Sequence, residues 1–170
     1  MNKNGFQTKV WGPPAWFFLH IVVQNYNPEK KHMKEMYYQF LNSLKYVLPC
    51  GACRDNFSNI INKGKLKLTK KVLKNRESLT HWLFLVHNKV QEDIYKKSND
   101  ENYKPKYKNN EEDYKKVYNF YEKFRAKCHK TKTGCSIPLK GIKKKVKIYI
   151  CPQGNNYRAN KSIIMNKKCK

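Results

Sequence analysis

Near the middle of the chain, Leu79, Trp82, Leu83, Val86, Val90 and Ile94 recur at the spacing of helix turns. An α-helix completes a turn every 3.6 residues, so all six fall on one stripe, and so apolar a stripe must be covered by other elements. Ser78 stands where an N-cap would open this helix. His87 and Asn88 adjoin the stripe, which sets an imidazole and an amide at a buried surface where each needs a hydrogen-bonding partner. A lone histidine in such a place is more often a satisfied core residue than a ligand group.

The flanking sequence supplies elements to cover the stripe. Trp11-Gly12-Pro13-Pro14 followed by apolar residues to Val23 predicts a helix opening near Pro14, with Trp16 and His20 at i and i+4 on one face. That pair is either packed core or one wall of a slot for a flat aromatic ligand. A second helix is expected from Glu29 to Tyr46, with Met33, Met36, Tyr37, Phe40, Leu41 and Leu44 inward. A third should begin at Cys50 and Cys53, carry Phe57, Ile60 and Ile61 on one side, and stop near Gly64. Lys65 to Lys74 reads as a basic surface linker and residues 98–110 as an exposed one. A fifth helix, Glu111 to Lys127, has acids in its first turn and bases in its last, and would dock through Tyr114, Val117, Tyr118, Tyr121 and Phe124. The expected architecture is all-α: a four-helix bundle with a short fifth helix over residues 8–127, then an extension over 128–170 with one candidate strand at Val146–Ile150.

That extension is also where charge concentrates. The chain of 170 residues has a formal net charge of +25, and residues 128–170 hold twelve Lys or Arg and no Asp or Glu. Such a segment suits an acidic protein, nucleic acid or lipid surface, although a Lys- and Asn-rich coding bias gives the same composition. The start lacks the apolar core of a signal peptide, and no stretch is long enough to span a membrane, so a cytoplasmic protein without membrane insertion is expected. In that compartment six cysteines would ordinarily be thiols, and disulfides there are more often catalytic than scaffolding.

Leu48-Pro49-Cys50-Gly51-Ala52-Cys53-Arg54 sets two thiols one turn apart after a proline that can begin a helix. At a helix N-terminus, unpaired N–H groups and the positive end of the dipole favour a thiolate, and Arg54 adds a cation. C-x-x-C pairs exchange thiols for disulfides, but the same spacing is half of a structural zinc site or an inert apolar pair.

Taken in order, Trp-Gly-x-x-x-Trp-x-x-x-His from Trp11 to His20, Cys-x-x-Cys at a helix start, and a Trp-containing helix with His87-Asn88-x-Val90 resemble the Erv/ALR family of FAD-linked sulfhydryl oxidases, from about Trp11 to Lys97. The resemblance implies a small helical bundle with FAD between the helices and no metal. Electrons would pass from thiol-containing substrate proteins to a Cys50–Cys53 disulfide, then to FAD, then to molecular oxygen, giving hydrogen peroxide. By position Cys53 would be the flavin-proximal sulfur and Cys50 the one that exchanges with substrate. The cofactor-binding set would be Gly12, Trp16, His20, Trp82, His87, Asn88, Val90, Gln91 and Lys96, with Trp16, His20, His87 and Asn88 on the adenine side. Gln91 stands where many members have Asn, no cysteine precedes Cys50, and the later cysteines do not follow the family's spacing. The compact form looks most like members encoded by large DNA viruses, which implies host cytosol, virus factory or virion. A homodimer is implied as well. Cys128 and Cys135 could relay electrons to Cys50, or could be a structural pair or free thiols.

Two other readings compete. A zinc-stabilised nucleic-acid-binding protein would use Cys50, Cys53, Cys128 and Cys135 or His129 as ligands, and the tail to neutralise phosphates, but it leaves Trp16, His20, His87 and Asn88 without a role. A thioredoxin-like fold needs strands that are absent from the sequence around Cys50.

Overall fold

Five helices follow one another in the computed structural model, whose described residues are 5–128 and 134–140: α1 (Thr8–Gln24), α2 (Met33–Val47), α3 (Gly51–Asn62), α4 (Arg76–Ser98) and α5 (Glu111–Glu122). α2 packs on α3, α1 and α3 pack on α4, and α5 lies across α1 and α4. The expected helical bundle is present, followed among the described residues by one short two-stranded hairpin.

Each helix boundary has a local cause. α4 is capped by Asn75, not Ser78: the Asn75 side chain accepts the Ser78 N–H at 2.7 Å, and Glu77 adds an acid to the first turn. α1 starts at Thr8, well before Pro14, so both prolines lie inside it. Their rings are exposed, but at the sixth and seventh helical positions each removes an intrahelical N–H donor, a local cost that the packing of α1 on α4 and α5 must offset. α2 starts at Met33 instead of Glu29 because His32 takes a left-handed conformation (φ 66°), which a continuing helix cannot contain. α5 stops at Glu122, short of Lys127, with no base in its last turn. The chain turns there into strand β1 (Ala126–Cys128), antiparallel to β2 (Cys135–Pro138). Arg125 anchors this hairpin by pairing with Glu122 and donating to Gln24 O of α1 at 3.0 Å. The hairpin was not visible in the sequence pattern, and Val146–Ile150, His129, Cys151 and Cys169 lie outside the described residues.

The main core joins Leu19 and Val23 of α1, Leu41 and Leu44 of α2, Phe57, Ile60 and Ile61 of α3, and Leu79, Trp82, Leu83 and Val86 of α4. A fully buried aliphatic side chain contributes about 1.5–3 kcal/mol, so this cluster dominates stability. Residues 65–74 are not simply a surface linker: Leu68 and Leu73 are buried in the same core. Two hydrogen bonds hold them there, from the Tyr26 hydroxyl to Leu73 O at 2.7 Å and from the Trp82 indole to Leu66 O at 2.8 Å. A second cluster, Phe84 with Tyr114 and Val117, joins α4 to α5. Among the described residues no helix is long and apolar enough to cross a membrane.

Candidate active site

Cys50 and Cys53 form a disulfide, with Cα atoms 5.1 Å apart. Pro49 does not start α3; Cys50 is its N-cap, and its Sγ accepts the Cys53 N–H at 3.2 Å, the place a cap oxygen usually takes. One sulfur therefore sits at the positive end of the helix. Arg54 turns back, donating from Nη1 to Leu48 O at 2.6 Å, and so braces the Leu48–Pro49 entry. The Thr8 hydroxyl of α1 lies 3.9 Å from Cys53 Sγ, a neighbour the sequence pattern did not single out.

A second feature, a stack of rings, lies between α1, α4 and α5, and the cleft beside it is not lined by Cys50 or Cys53. Trp16 and His20 do not stack on each other; their centroids are 6.4 Å apart and tilted by 46°. His87 of α4 interleaves instead, lying flat on Trp16 at 4.0 Å, while His20 lies flat on Tyr121 of α5 at 4.6 Å. His20 Nε2 and His87 Nδ1 are 3.2 Å apart, so one neutral ring donates to the other. Burial lowers the pKa of His20 to about 3, aided by the His87 charge, and burial lowers that of His87 to about 4. Both rings are neutral at physiological pH.

Beside this stack opens a cleft of about 350 Å³, whose walls include His20, His87, Asn88 and Gln91. Asn88 is buried, and its Nδ2 donates to Tyr107 O at 3.3 Å and Asn109 Oδ1 at 2.8 Å, tying the 99–110 connection over the cleft. That connection is thus not a free linker. It brings Lys106 and Tyr107 to the cleft, and α5 adds Phe120 and Tyr121. Sequence reasoning missed Lys106, Tyr107 and Phe120 because no periodicity ties a loop to a pocket; Tyr121 was expected only as a docking residue.

The other expected cofactor residues lie elsewhere. Gly12 is buried on α1 against the Thr8 methyl, Trp82 is in the main core, Val90 packs against that core, and Lys96 is exposed. Cys128 and Cys135 pair with each other across the hairpin. The four sulfurs therefore form two disulfides instead of converging on one centre, which leaves the zinc reading without support.

A sequence profile described as the Erv1 / Alr family matches residues 13–115. A protein of Acanthamoeba polyphaga mimivirus named as a probable FAD-linked sulfhydryl oxidase is 45% identical over 82 residues, 47% of this chain and 55% of the relative. The mitochondrial FAD-linked sulfhydryl oxidase of Saccharomyces cerevisiae is 31% identical over 94 residues, 54% of this chain and 47% of the relative. An FAD-linked sulfhydryl oxidase of African swine fever virus is 32% identical over 89 residues, 51% of this chain and 70% of the relative. The chain spans about half the length of the first two.

Proposed function

Because the chain belongs to the Erv1 / Alr family, we propose that it is an FAD-linked sulfhydryl oxidase that forms disulfide bonds in thiol-containing substrate proteins. The observation that carries this reading is the Cys50–Cys53 disulfide at the head of α3, in a bundle that also builds a ring-walled cleft.

The residues of the cleft suit the adenine end of FAD. Flat rings from His20, His87 and Tyr121 line the cleft and offer stacking surface, with Trp16 packed flat against His87 behind them. Asn88 and Gln91 offer amides, and Lys106 offers a cation for a diphosphate. Neutral imidazoles suit an aromatic base because they carry both a donor and an acceptor. Gly12, Trp82, Val90 and Lys96 stand outside this cleft and belong to the proposed binding set on the family resemblance alone. When bound, FAD would supply a two-electron acceptor able to pass electrons to molecular oxygen and give hydrogen peroxide. The chain's own work is thiol exchange. A substrate thiolate attacks Cys50, a second substrate thiolate releases the product disulfide, and Cys50 and Cys53 are left as the reduced pair that must be reoxidised.

Three further parts belong to the proposal. Exposed Val10 and Phe18 of α1 and Met36 of α2 support a homodimer, which sedimentation equilibrium would test. The Cys128–Cys135 disulfide acts as a relay to Cys50, and a Cys128→Ser, Cys135→Ser variant that oxidised protein substrate as fast as wild type would remove that role. Residues 128–170, proposed as a separate basic extension, recruit an acidic substrate.

The deciding experiment is a visible spectrum of the purified protein with oxygen-electrode readings on wild type and Cys53→Ala. A flavin band that bleaches on dithiol addition, with oxygen uptake lost in the variant, is expected. A colourless protein that consumes no oxygen when given dithiol and FAD would overturn the reading.

A further inference from the structure

The segment before α1 reaches across to the redox disulfide. Phe6 N–H donates to Pro49 O at 2.9 Å, and the Trp11 indole closes the turn by donating to Phe6 O at 3.1 Å. Gly5 approaches so closely that a Cβ there would stand 2.5 Å from Pro49 O and 3.2 Å from Cys50 Cα. Glycine is what permits this contact. The result fixes Thr8, the first residue of α1, with Oγ1 3.9 Å from Cys53 Sγ. A disulfide sulfur carries no proton, so the hydroxyl donates. Thr8 lies outside residues 13–115 matched by the family profile.

The two sulfurs therefore face different donors. Cys50 Sγ has the Cys53 backbone N–H, and Cys53 Sγ has the Thr8 hydroxyl. We propose that Thr8 is a catalytic residue that stabilises Cys53 Sγ as the leaving thiolate when substrate opens the disulfide.

In that step a substrate thiolate attacks Cys50 Sγ. A new sulfur–sulfur bond joins substrate to Cys50, the Cys50–Cys53 bond breaks, and its electron pair departs on Cys53 Sγ. The substrate sulfur and Cys50 remain at the disulfide level, Cys53 is reduced to thiolate, and no proton is needed. Negative charge moves from the substrate sulfur to a sulfur already facing a hydroxyl donor. A hydrogen bond to an ionised acceptor is shorter and stronger than one to a neutral acceptor, so the Thr8 contact tightens as charge develops and favours the transition state over the resting disulfide. A better-stabilised leaving thiolate departs faster. Attack on Cys53 would instead place the charge on Cys50, where the Thr8 hydroxyl does not reach. This inference rests on the reading of Cys50–Cys53 as the redox pair with substrate attack at Cys50, and is independent of the cofactor.

The test compares wild type, Thr8→Val and Thr8→Ser in rapid-quench reduction by 2-mercaptoethanol without oxygen, with mass spectrometry showing which cysteine carries the added thiol. A companion measurement takes the Cys53 pKa from the pH dependence of iodoacetamide alkylation in a Cys50→Ser background. Thr8→Val should raise the Cys53 pKa by about one unit, the scale of one lost hydrogen bond to a charged group, and open about threefold more slowly, because only about half the charge has developed on the leaving sulfur in the transition state. Thr8→Ser, which keeps the hydroxyl and drops the methyl, should restore both. Unchanged rate and pKa in Thr8→Val would overturn the proposal. So would a Thr8→Ser variant as slow as Thr8→Val, since that would assign the effect to methyl packing. A colourless protein with the Thr8 effect would defeat the flavin reading alone, and a yellow one without it would defeat this inference alone.

Discussion

Mild acid should weaken this fold through its two stacked imidazoles before any carboxylate responds. His20 and His87 are held neutral in the folded chain, with pKa values lowered to about 3 and about 4 by burial. In the unfolded chain each ring titrates near its ordinary value, about 6.5. The unfolded state therefore binds more protons below that value, and stability falls as pH falls. From pH 7 to pH 5 the linkage amounts to about 2 kcal/mol per ring, or about 4 kcal/mol for two independent rings. Domains of this size have only about 5–15 kcal/mol in total, so the loss is large. Carboxylates act in a lower window. Hydrogen bonds from Lys9, Tyr95, Lys116 and Arg125 hold Asp100, Glu101, Asp113 and Glu122 respectively below the usual carboxylate values, so their contribution persists to more acid pH and is lost only as pH falls through those depressed values. Urea unfolding at pH 7, 6 and 5 reads the difference, and the midpoint should drop by about 2 M between pH 7 and pH 5 with little change in slope. A His20→Gln, His87→Gln double variant should lose most of this dependence. A wild-type midpoint unchanged at pH 5, or a double variant that falls as far as wild type, would refute the account.

Other outcomes follow from the contacts around the core and cleft. Tyr26→Phe strands the buried Leu73 carbonyl and should cost about 1–3 kcal/mol in urea unfolding, whereas Leu73→Ala, which opens a cavity at a side chain only 1% exposed, should cost about 2–5 kcal/mol. Asn88→Ala frees Tyr107 and Asn109, so limited proteolysis should cut within residues 99–110 sooner and FAD titration should show weaker binding. If the basic surface recruits an acidic substrate, added salt should depress protein-substrate turnover sharply and leave small-thiol turnover unchanged; equal sensitivity of both would count against it.

The sequence made helix interiors legible and helix ends much less so. Leu79, Leu83 and Val86 are buried because periodicity alone puts them on one face. An end depends on which of several polar residues turns its side chain back to the backbone, and Asn75 and Ser78 are comparable candidates until the course of the preceding chain is known. The same limit applies to residues 65–74. Their six-lysine composition over 63–74 points outward, yet Leu68 and Leu73 reach the core because Tyr26 and Trp82, distant in sequence, take the segment's carbonyls. Thr8 carries no signal of its own. Its place beside Cys53 depends on the close approach of Gly5 to Pro49, a long-range contact with no local pattern.

The ring stack shows why the functional residues were readable as a set and not as pairs. Spacing of four put Trp16 and His20 on one helix face, and the natural expectation was an indole above an imidazole. Spacing of four brings two side chains to one face but does not set their ring planes, and here the 46° tilt between Trp16 and His20 leaves a face of each to a ring from another helix. α4 fills one opening with His87 and α5 fills the next with Tyr121, so four rings from three helices alternate. One nitrogen of each histidine pairs with the other ring, and burial holds both uncharged. A flat ligand entering beside them meets faces and edges already held in register. Substitution at any one of the four should therefore alter binding more than the loss of its own contact implies. In double-mutant cycles Trp16→Ala and Tyr121→Ala, although their rings stack on different partners, should be strongly non-additive in FAD affinity; additive losses would mean that the rings act independently and that the stack has no collective role.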